Sequence, residues 1–273
     1  MDQLSYHIIL AGAGPGDPDL VTVKLVNAVR EAEIIIIDRL VNPEILRRYA
    51  HPDAVIIPVG KQGYNNDSTP QEEINKLLVE AAISGKKTLR LKGGDVAIYS
   101  NVQSEIDILK KNRISYEIIA GITAASGAAA SLKIPLTARG LASGVRFQTL
   151  ASGQIISAVK LQDWANSEDT LVFYMAIAPL KELVNGLIKF NADPSLPLAV
   201  IEEATTPSQK VFLFTLQSAL TVIDDKNFKT PALVIIGRIL ESVDLENISN
   251  APGAASTFQS LIKPFINTEL HVI

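Results

Sequence analysis

A glycine-rich turn is the first feature of this sequence that could bind a ligand through its backbone. Gly12, Gly14 and Gly16 lie within a seven-residue segment that directly follows the first predicted strand. Glycine permits close approach between the backbone and a bound group. The spacing differs from the dinucleotide fingerprint, which would require a glycine at Asp17. A ligand-binding turn and a simple strand-to-helix turn, with Asp17 capping the next helix, both remain open.

Three further predicted strands end in polar or glycine residues. Asp38 and Arg39 follow the second strand, Gly60 and Lys61 follow the third, and residues 92–95 (Lys-Gly-Gly-Asp) follow the fourth. Because the carboxyl ends of parallel strands line the ligand crevice of an open sheet, we expect these groups on one shared rim. A carboxylate there could act as a base, and an arginine could hold an anion. A salt bridge at the strand end is an equally good interpretation of the second pair.

Alternating strand and helix patterns must position these groups. In the first half of the chain, short runs rich in β-branched residues predict strands, and the intervening segments predict helices. The predicted strands are 7–12, 33–37, 54–59, 88–92 and 116–119, and the predicted helices are 19–31, 43–49, 70–84, 102–112 and 123–131. This alternation with short connections predicts a largely parallel sheet that is covered on both faces.

The second half of the chain predicts a separate, mixed α/β domain. Its predicted strands are 145–151, 170–175, 198–202, 210–215 and 232–237, and its predicted helices are 179–190 and 216–224. The connection between 198–202 and 210–215 is too short for a helical crossover, which predicts an antiparallel pair. We therefore expect an N-terminal domain over 1–136, a C-terminal domain over 137–242 and an extension over 243–273.

Composition limits the classes of function. The 273 residues carry a net charge of −4, which gives no overall indication of nucleic acid or an anionic membrane as a partner. The absence of cysteine excludes disulfides, zinc thiolates and thiol nucleophiles, and the three histidines form no metal-ligand motif. No apolar run reaches transmembrane length and residues 1–6 lack a signal-peptide pattern, so we expect a cytoplasmic protein that holds no metal.

Taken in order, seven motifs of this chain resemble those of the tetrapyrrole methyltransferases, and within them the uroporphyrinogen-III C-methyltransferases. The resemblance covers roughly residues 6–241, including apolar segments of the second domain at 171–175 and 231–237. The seven motifs are residues 12–18, 38–41, 60–61, 70–75, 90–95, 121–125 and 134–137.

The resemblance implies a fold, a reaction and a set of site residues. It implies two α/β domains with S-adenosyl-L-methionine in the cleft between them, in a homodimer. It implies methylation of uroporphyrinogen III at C-2 and C-7 to precorrin-2, on the route to sirohaem or cobalamin, with S-adenosyl-L-homocysteine as the other product. Asp38 and Lys61 match the proton acceptor and the proton donor proposed for the family. The cofactor contacts would be Pro15, Gly93, Gly94, Asp95, Ile98, Thr123, Ala124, Met175 and Ala204.

The expected substrate carries eight carboxylates, so basic side chains should face it. Arg39, Arg139 and Arg146 are the candidate substrate-binding residues, together with Lys61.

The sequence also departs from the family pattern, chiefly after Asp95. Val96 stands where relatives have proline, and Asn101 stands where an arginine is expected. An amide can donate and accept hydrogen bonds but supplies no fixed positive charge. Three interpretations follow: a uroporphyrinogen methyltransferase, a methyltransferase for another corrinoid precursor, or a non-catalytic paralogue that binds tetrapyrrole or cofactor.

Overall fold

The computed structural model describes residues 7–60, 69–150, 153 and 155–244. The chain divides into two compact units, residues 1–127 and 128–273. This division falls within one helix, whereas the sequence places the boundary after residue 136, and the predicted domain limits remain predictions. The predicted extension over 243–273 lies almost entirely outside the described residues.

The first unit alternates strands and helices, as predicted. Its elements are β1 (His7–Gly12), α1 (Val23–Glu31), β2 (Ile34–Asp38), α2 (Pro43–Tyr49), β3 (Val55–Val59), α3 (Gln71–Ile83), β4 (Thr88–Lys92), α4 (Val102–Lys111), β5 (Ser115–Ile119) and α5 (Ala124–Ser131). The strands form a sheet in the order β3-β2-β4-β1-β5, and all of the pairings are parallel. The prediction of a parallel sheet is confirmed.

Both faces of the sheet are buried at the central strands β2 and β4, whose alternate side chains point to opposite sides. On β2, Ile34 and Ile36 join a cluster with residues of α3 and α4. Ile35 and Ile37 join a second cluster with residues of α1 and α2. The run of four isoleucines therefore suits a central strand covered on both faces.

The second unit has a mixed sheet. Its elements are β6 (Val145–Thr149), α6 (Ala158–Ala165), β7 (Thr170–Tyr174), α7 (Leu180–Lys189), β8 (Pro197–Glu202), β9 (Lys210–Thr215), α8 (Leu216–Leu220), β10 (Ala232–Ile236) and a 3₁₀ helix at Arg238–Ser242. The strand order is β6-β7-β10-β8-β9. The β6–β7 pair is parallel, and β10 is antiparallel to β7 and β8. The predicted antiparallel pairing of 198–202 with 210–215 is confirmed.

Aromatic side chains fill the core of the second unit. Trp164 on α6 packs edge-to-face against Phe173 on β7, with ring centroids 5.1 Å apart. Phe228 makes similar contacts with Phe212 and Phe214 of β9. Such pairs fix side-chain geometry in addition to burying apolar area.

Two local predictions were wrong. The first helix begins at Val23 rather than at residue 19, because Thr22 caps it by accepting a hydrogen bond from the Leu25 amide at 3.2 Å. Asp17 instead closes a local turn, in which its carboxylate accepts from the Asp19 amide at 2.8 Å. The helix α6 was not predicted, although Ser157 stands at its start as an N-cap.

No helix in the described part of the chain is both long and apolar enough to cross a membrane.

Candidate active site

The predicted convergence of motifs is present at the carboxyl edge of the first sheet, which we call the N-terminal rim. This rim comprises the ends of β1 to β5 and the residues that follow them. Strand register aligns Gly12 with Lys92 and Asp38 with Val59. Parallel pairing therefore brings the glycine turn, Asp38 and the residues after β4 to one edge of the sheet.

Four glycines bring the rim loops into backbone contact. A Cβ added to Gly121 would lie 2.2 Å from the Gly94 carbonyl oxygen and 2.8 Å from Gly12, and a Cβ on Gly12 would lie 2.5 Å from the same oxygen. Gly14 and Gly94 also exchange backbone hydrogen bonds of 3.1 and 2.7 Å. The turns after β1, β4 and β5 are thus packed backbone to backbone, and a side chain at Gly12 or Gly121 would separate them.

Asp95 ties two of these turns together. Its Oδ1 accepts from the Ala97 amide at 2.7 Å, and its Oδ2 accepts from the Gly121 amide at 2.8 Å. Both carboxylate oxygens are therefore engaged with backbone N–H groups. The side chain of this predicted cofactor residue shapes the loop into which a ligand would bind.

Little of the protein packs against Gly94 on the side where a side chain would project. Gly94 has a φ of +67°, and a Cβ there would meet only the Ala124 amide nitrogen, at 3.9 Å. Gly93 and Gly94 are half-buried, as are Pro15, Ile98, Thr123 and Ala124. All seven predicted cofactor residues of the first unit, including Asp95, therefore lie on segments that follow β1, β4 or β5. Small residues, apolar groups and backbone donors suit an adenosyl group and an amino acid moiety.

The remaining predicted cofactor residues share an edge of the second sheet. Met175 follows β7 and Ala204 follows β8, and both strands pair antiparallel with β10. Met175 has a φ of +56° and is 54% exposed, and its neighbours across β10, Glu203 and Thr205, have φ of +46° and +67°. Left-handed backbone at non-glycine residues concentrates at ligand sites, where the surrounding structure maintains it.

The loop after Asp95 has an amide side chain, Asn101, where the family resemblance implies an arginine. Asn101 precedes α4 with a left-handed φ of +58°, a conformation that asparagine tolerates better than most residues. Its Nδ2 donates to the Gln71 side chain at 3.0 Å, and Gln71 in turn donates to Asn75 at 3.1 Å. Asn101 thus bridges this loop to the start of α3 by neutral hydrogen bonds.

Asp38 joins three buried charged side chains in a cluster of four, which we call the charge tetrad: Asp38, Arg90, Lys92 and Glu105. Arg90 Nη2 donates to Asp38 Oδ1 at 2.5 Å, and Lys92 Nζ lies 3.7 Å from Asp38 Oδ2. Glu105 Oε1 accepts from Lys92 Nζ at 2.7 Å and from Arg90 Nε at 3.1 Å. The tetrad carries two positive and two negative groups, so its formal charge is balanced.

Sequence reasoning did not identify Arg90 or Glu105 as site residues. A signal was present, because Arg90 and Lys92 lie two residues apart on a short strand and alternate with Leu89 and Leu91. Residues at that spacing point to the same face of a sheet. Buried cations on one face require carboxylates opposite them, which Asp38 on β2 and Glu105 on α4 supply.

The other predicted site residues have different environments. Lys61 lies outside the described residues. Arg39 and Arg139 are exposed, and neither forms an ion pair with any residue that the structure describes. Arg146 donates to Asp169 at 2.7 Å and to Asp163 at 2.9 Å. These hydrogen bonds raise the pKa of Arg146 above its ordinary value, with Asp169 the larger contributor.

Comparison with known proteins identifies relatives over most of the chain. Residues 7–220 match the family described as Tetrapyrrole (Corrin/Porphyrin) Methylases. The chain is 40% identical over 234 residues to the siroheme synthase of Saccharophagus degradans, covering 86% of this chain and 51% of that protein. It is 39% identical over 238 residues to the siroheme synthase of Pseudomonas aeruginosa, again covering 51% of the relative. The chain therefore spans about half the length of these curated relatives.

Solved structures agree with this match. The uroporphyrin-III C-methyl transferase of Thermus thermophilus, complexed with S-adenyl homocysteine, is 30% identical with a TM-score of 0.71. The match covers 86% of this chain and 93% of that one. A cobalt precorrin-4 methyltransferase has a TM-score of 0.77 at 24% identity, covering 88% of this chain and 98% of the other. That second likeness concerns the fold alone.

Proposed function

The chain belongs to the tetrapyrrole (corrin/porphyrin) methylase family, its methyl donor is S-adenosylmethionine, and we propose that it methylates carbon atoms of uroporphyrinogen III. The proposed positions are C-2 and C-7 and the proposed product is precorrin-2, which feeds the sirohaem or cobalamin routes. The 30% identical Thermus thermophilus enzyme and the siroheme synthases support this substrate.

One observation carries the proposal: a partly exposed carboxylate, Asp38, lies on the same rim as the glycine turns. The Asp38 side chain is 28% exposed, whereas its partner Arg90 is 1% exposed. The carboxylate is therefore accessible from the rim while its cationic partner lies behind it. Carbon methylation requires a fixed orientation of the reacting groups and an acceptor for the proton that is released, and this arrangement supports both.

The residues of this chain would contribute positioning and proton transfer. When bound, the donor supplies an electrophilic methyl group on a sulfonium. The Gly12, Gly94 and Gly121 turns would hold that donor in a fixed orientation relative to the substrate carbon. The methylated carbon already bears a carboxylate side chain and has no hydrogen, so the ring system becomes cationic and must lose a proton from another of its atoms. Asp38 would accept that proton, with Lys61 as the proposed proton donor. In the sequence Lys61 directly follows Gly60, the residue after β3, and β3 pairs with β2.

Basic side chains would bind the substrate carboxylates. Arg39 follows Asp38 directly, and its Cβ lies 3.7 Å from the position of a Cβ built on Gly60. Arg39 and Arg139 make no ion pair within the described ranges, so their guanidinium groups are available to an anionic ligand. Arg146 already donates to two carboxylates, so we assign it a smaller share of substrate binding.

The proposed assembly and location follow the family resemblance. We propose a homodimer in the cytoplasm. Light scattering on the purified chain measures the oligomeric state directly, and a monomeric mass at working concentration would contradict the dimer.

The activity is tested by two measurements on the purified protein. Calorimetry measures S-adenosylmethionine binding, and mass spectrometry measures methyl transfer to uroporphyrinogen III. We expect binding and a product with two added methyl groups. Asp38→Asn should retain donor binding but lose rate on the order of 10²- to 10⁴-fold, the usual contribution of a general base.

A matched control is Asp19→Asn, because Asp19 is also paired with an arginine, Arg48, at 2.7 Å, but is highly exposed. Its rate should change by about twofold or less. Donor binding without methyl transfer would redirect the assignment to another corrinoid precursor. Absence of donor binding would support the non-catalytic alternative.

A further inference from the structure

Arg90 is buried in the middle of the first sheet, where an unpaired cation would be strongly unfavourable. It lies on β4, between β2 and β1, and its side chain is 1% exposed. Leu89 and Leu91 point to the α1 and α2 side of the sheet. Arg90 and Lys92 therefore point to the opposite side, toward α4.

Every nitrogen of the Arg90 guanidinium has a partner. Nη2 donates to Asp38 Oδ1 at 2.5 Å, and Nε donates to Glu105 Oε1 at 3.1 Å. Nη1 lies 3.3 Å from the carbonyl oxygens of Ile36 and Leu91. Contacts from three directions leave the planar group no freedom to rotate, so the Nη2–H that meets Asp38 has a fixed direction.

Glu105 on α4 binds the two cations of the charge tetrad. It is fully buried on α4, and its Oε1 accepts from both Arg90 and Lys92. Its Oε2 is buried and has no hydrogen-bond partner among the described residues. A carboxylate with one oxygen unsatisfied is an unfavourable choice for packing alone, because a half-satisfied buried polar group costs stability.

The geometry distinguishes the two oxygens of Asp38. Oδ1 accepts from Arg90 at hydrogen-bond distance, whereas Oδ2 has its nearest tetrad cation, Lys92, at 3.7 Å. We propose that Arg90 is a positioning residue that fixes the Asp38 carboxylate with Oδ2 available to accept a proton, and that Glu105 fixes Arg90. This inference rests on the proposed role of Asp38 in methyl transfer.

A double-mutant cycle tests the inference. Arg90→Lys keeps the charge but removes the fork of donors that reaches both Asp38 and Glu105. We expect kcat to fall by about 100-fold, the scale of a misplaced reacting group, with KM and the S-adenosylmethionine Kd nearly unchanged. In an Asp38→Asn background the same substitution should lower kcat no further than about twofold, because the group that it positions is already lost.

Arg48→Lys is the matched control. Arg48 also meets two carboxylates, Asp19 and Glu44, at 2.7 and 2.9 Å, but on the surface. It should change kcat by about twofold or less. An equal loss from Arg90→Lys in both backgrounds, or an unchanged kcat in the wild-type background, would overturn the proposal in favour of a purely structural ion pair.

Two further measurements keep the test decisive. If Arg90→Lys does not fold, Glu105→Gln replaces it, because the amide keeps the shape of Glu105. We expect Glu105→Gln to lower kcat by less than Arg90→Lys does, and to lower it no further than about twofold in the Asp38→Asn background. If the wild-type protein fails to methylate uroporphyrinogen III, the proposed function fails, and a crystal structure of Arg90→Lys decides the positioning separately. In that structure, a displaced or disordered Asp38 carboxylate on an unchanged β2 supports the positioning role of Arg90. An unmoved Asp38 carboxylate refutes that role.

Discussion

Gly121→Ala should disrupt the N-terminal rim more severely than its small size implies. The added Cβ would lie 2.2 Å from the Gly94 carbonyl oxygen and 2.8 Å from backbone atoms of Gly12, whereas ordinary contacts begin at 3.4 Å. The φ of Gly121 lies outside the left-handed region, so backbone strain adds nothing. The whole effect comes from separating turns that pack through backbone atoms.

The geometry sets the magnitude. Relief of the contact with Gly94 requires a shift of 3.4 − 2.2 = 1.2 Å in backbone that is hydrogen-bonded to Gly14 and Asp95. Overpacking costs about 1–3 kcal/mol when side chains can yield. Because only backbone can yield here, we expect about 3 kcal/mol, which corresponds to a fall in Tm of roughly 6–12 °C at about 2–4 °C per kcal/mol. Donor affinity should weaken by at least about tenfold, since the turns that would contact it move.

Differential scanning calorimetry and donor titration measure both effects. Gly85→Ala is the control, because a Cβ there meets nothing within 4 Å and only its φ of +72° is unfavourable. That control should cost about 1–2 kcal/mol and leave donor affinity unchanged. If Gly121→Ala lowers Tm no more than the control does and leaves the donor Kd unchanged, the turns are not held by backbone packing and the reasoning is refuted.

Two further predictions concern the core of the second unit and the pH response of the surface. Phe173→Ala should destabilise the protein by about 3–5 kcal/mol through lost burial and lost contact with Trp164, measured as a lower denaturant midpoint in the fluorescence of this single tryptophan. An unchanged midpoint would contradict the role of that aromatic pair. The hydrogen bond from Lys24 holds the pKa of Glu117 below its usual 4.5, so its contribution to stability is present above that value and is lost as pH falls through the lowered pKa. Lys24→Met should bring the pKa, followed by carboxyl NMR, back toward 4.5, whereas Lys76→Met should leave it unchanged.

The sequence by itself determined the strands of the first sheet and the edge at which its loops meet. The four isoleucines 34–37 and the apolar run before Gly12 specify buried strands through their own composition. Short helical connections then require parallel pairing, and parallel pairing brings the residues after each strand to one edge. Those inferences are local, because they depend on residue type, period and connection length.

Local patterns failed where two signals competed. Asp17 and Thr22 both suit the start of a helix, and the structure uses Asp17 for a turn and Thr22 for the cap. The helix α6 buries only Leu161 and Trp164 of its apolar residues and leaves Val159 exposed, and its formation depends on those two side chains packing into the second core. Tertiary contacts, rather than helix propensity, decide such elements.

Only the tertiary structure decided how Asp38 is held. The strand order inserts β4 beside β2, so Arg90 reaches Asp38 across 52 residues of sequence, and the packing of α4 brings Glu105 onto the same face. No local pattern encodes which strand becomes the neighbour of another, because that choice minimises exposed apolar surface over the whole sheet. The sequence therefore determines which charged residues are available at the rim, and the fold determines which of them meet.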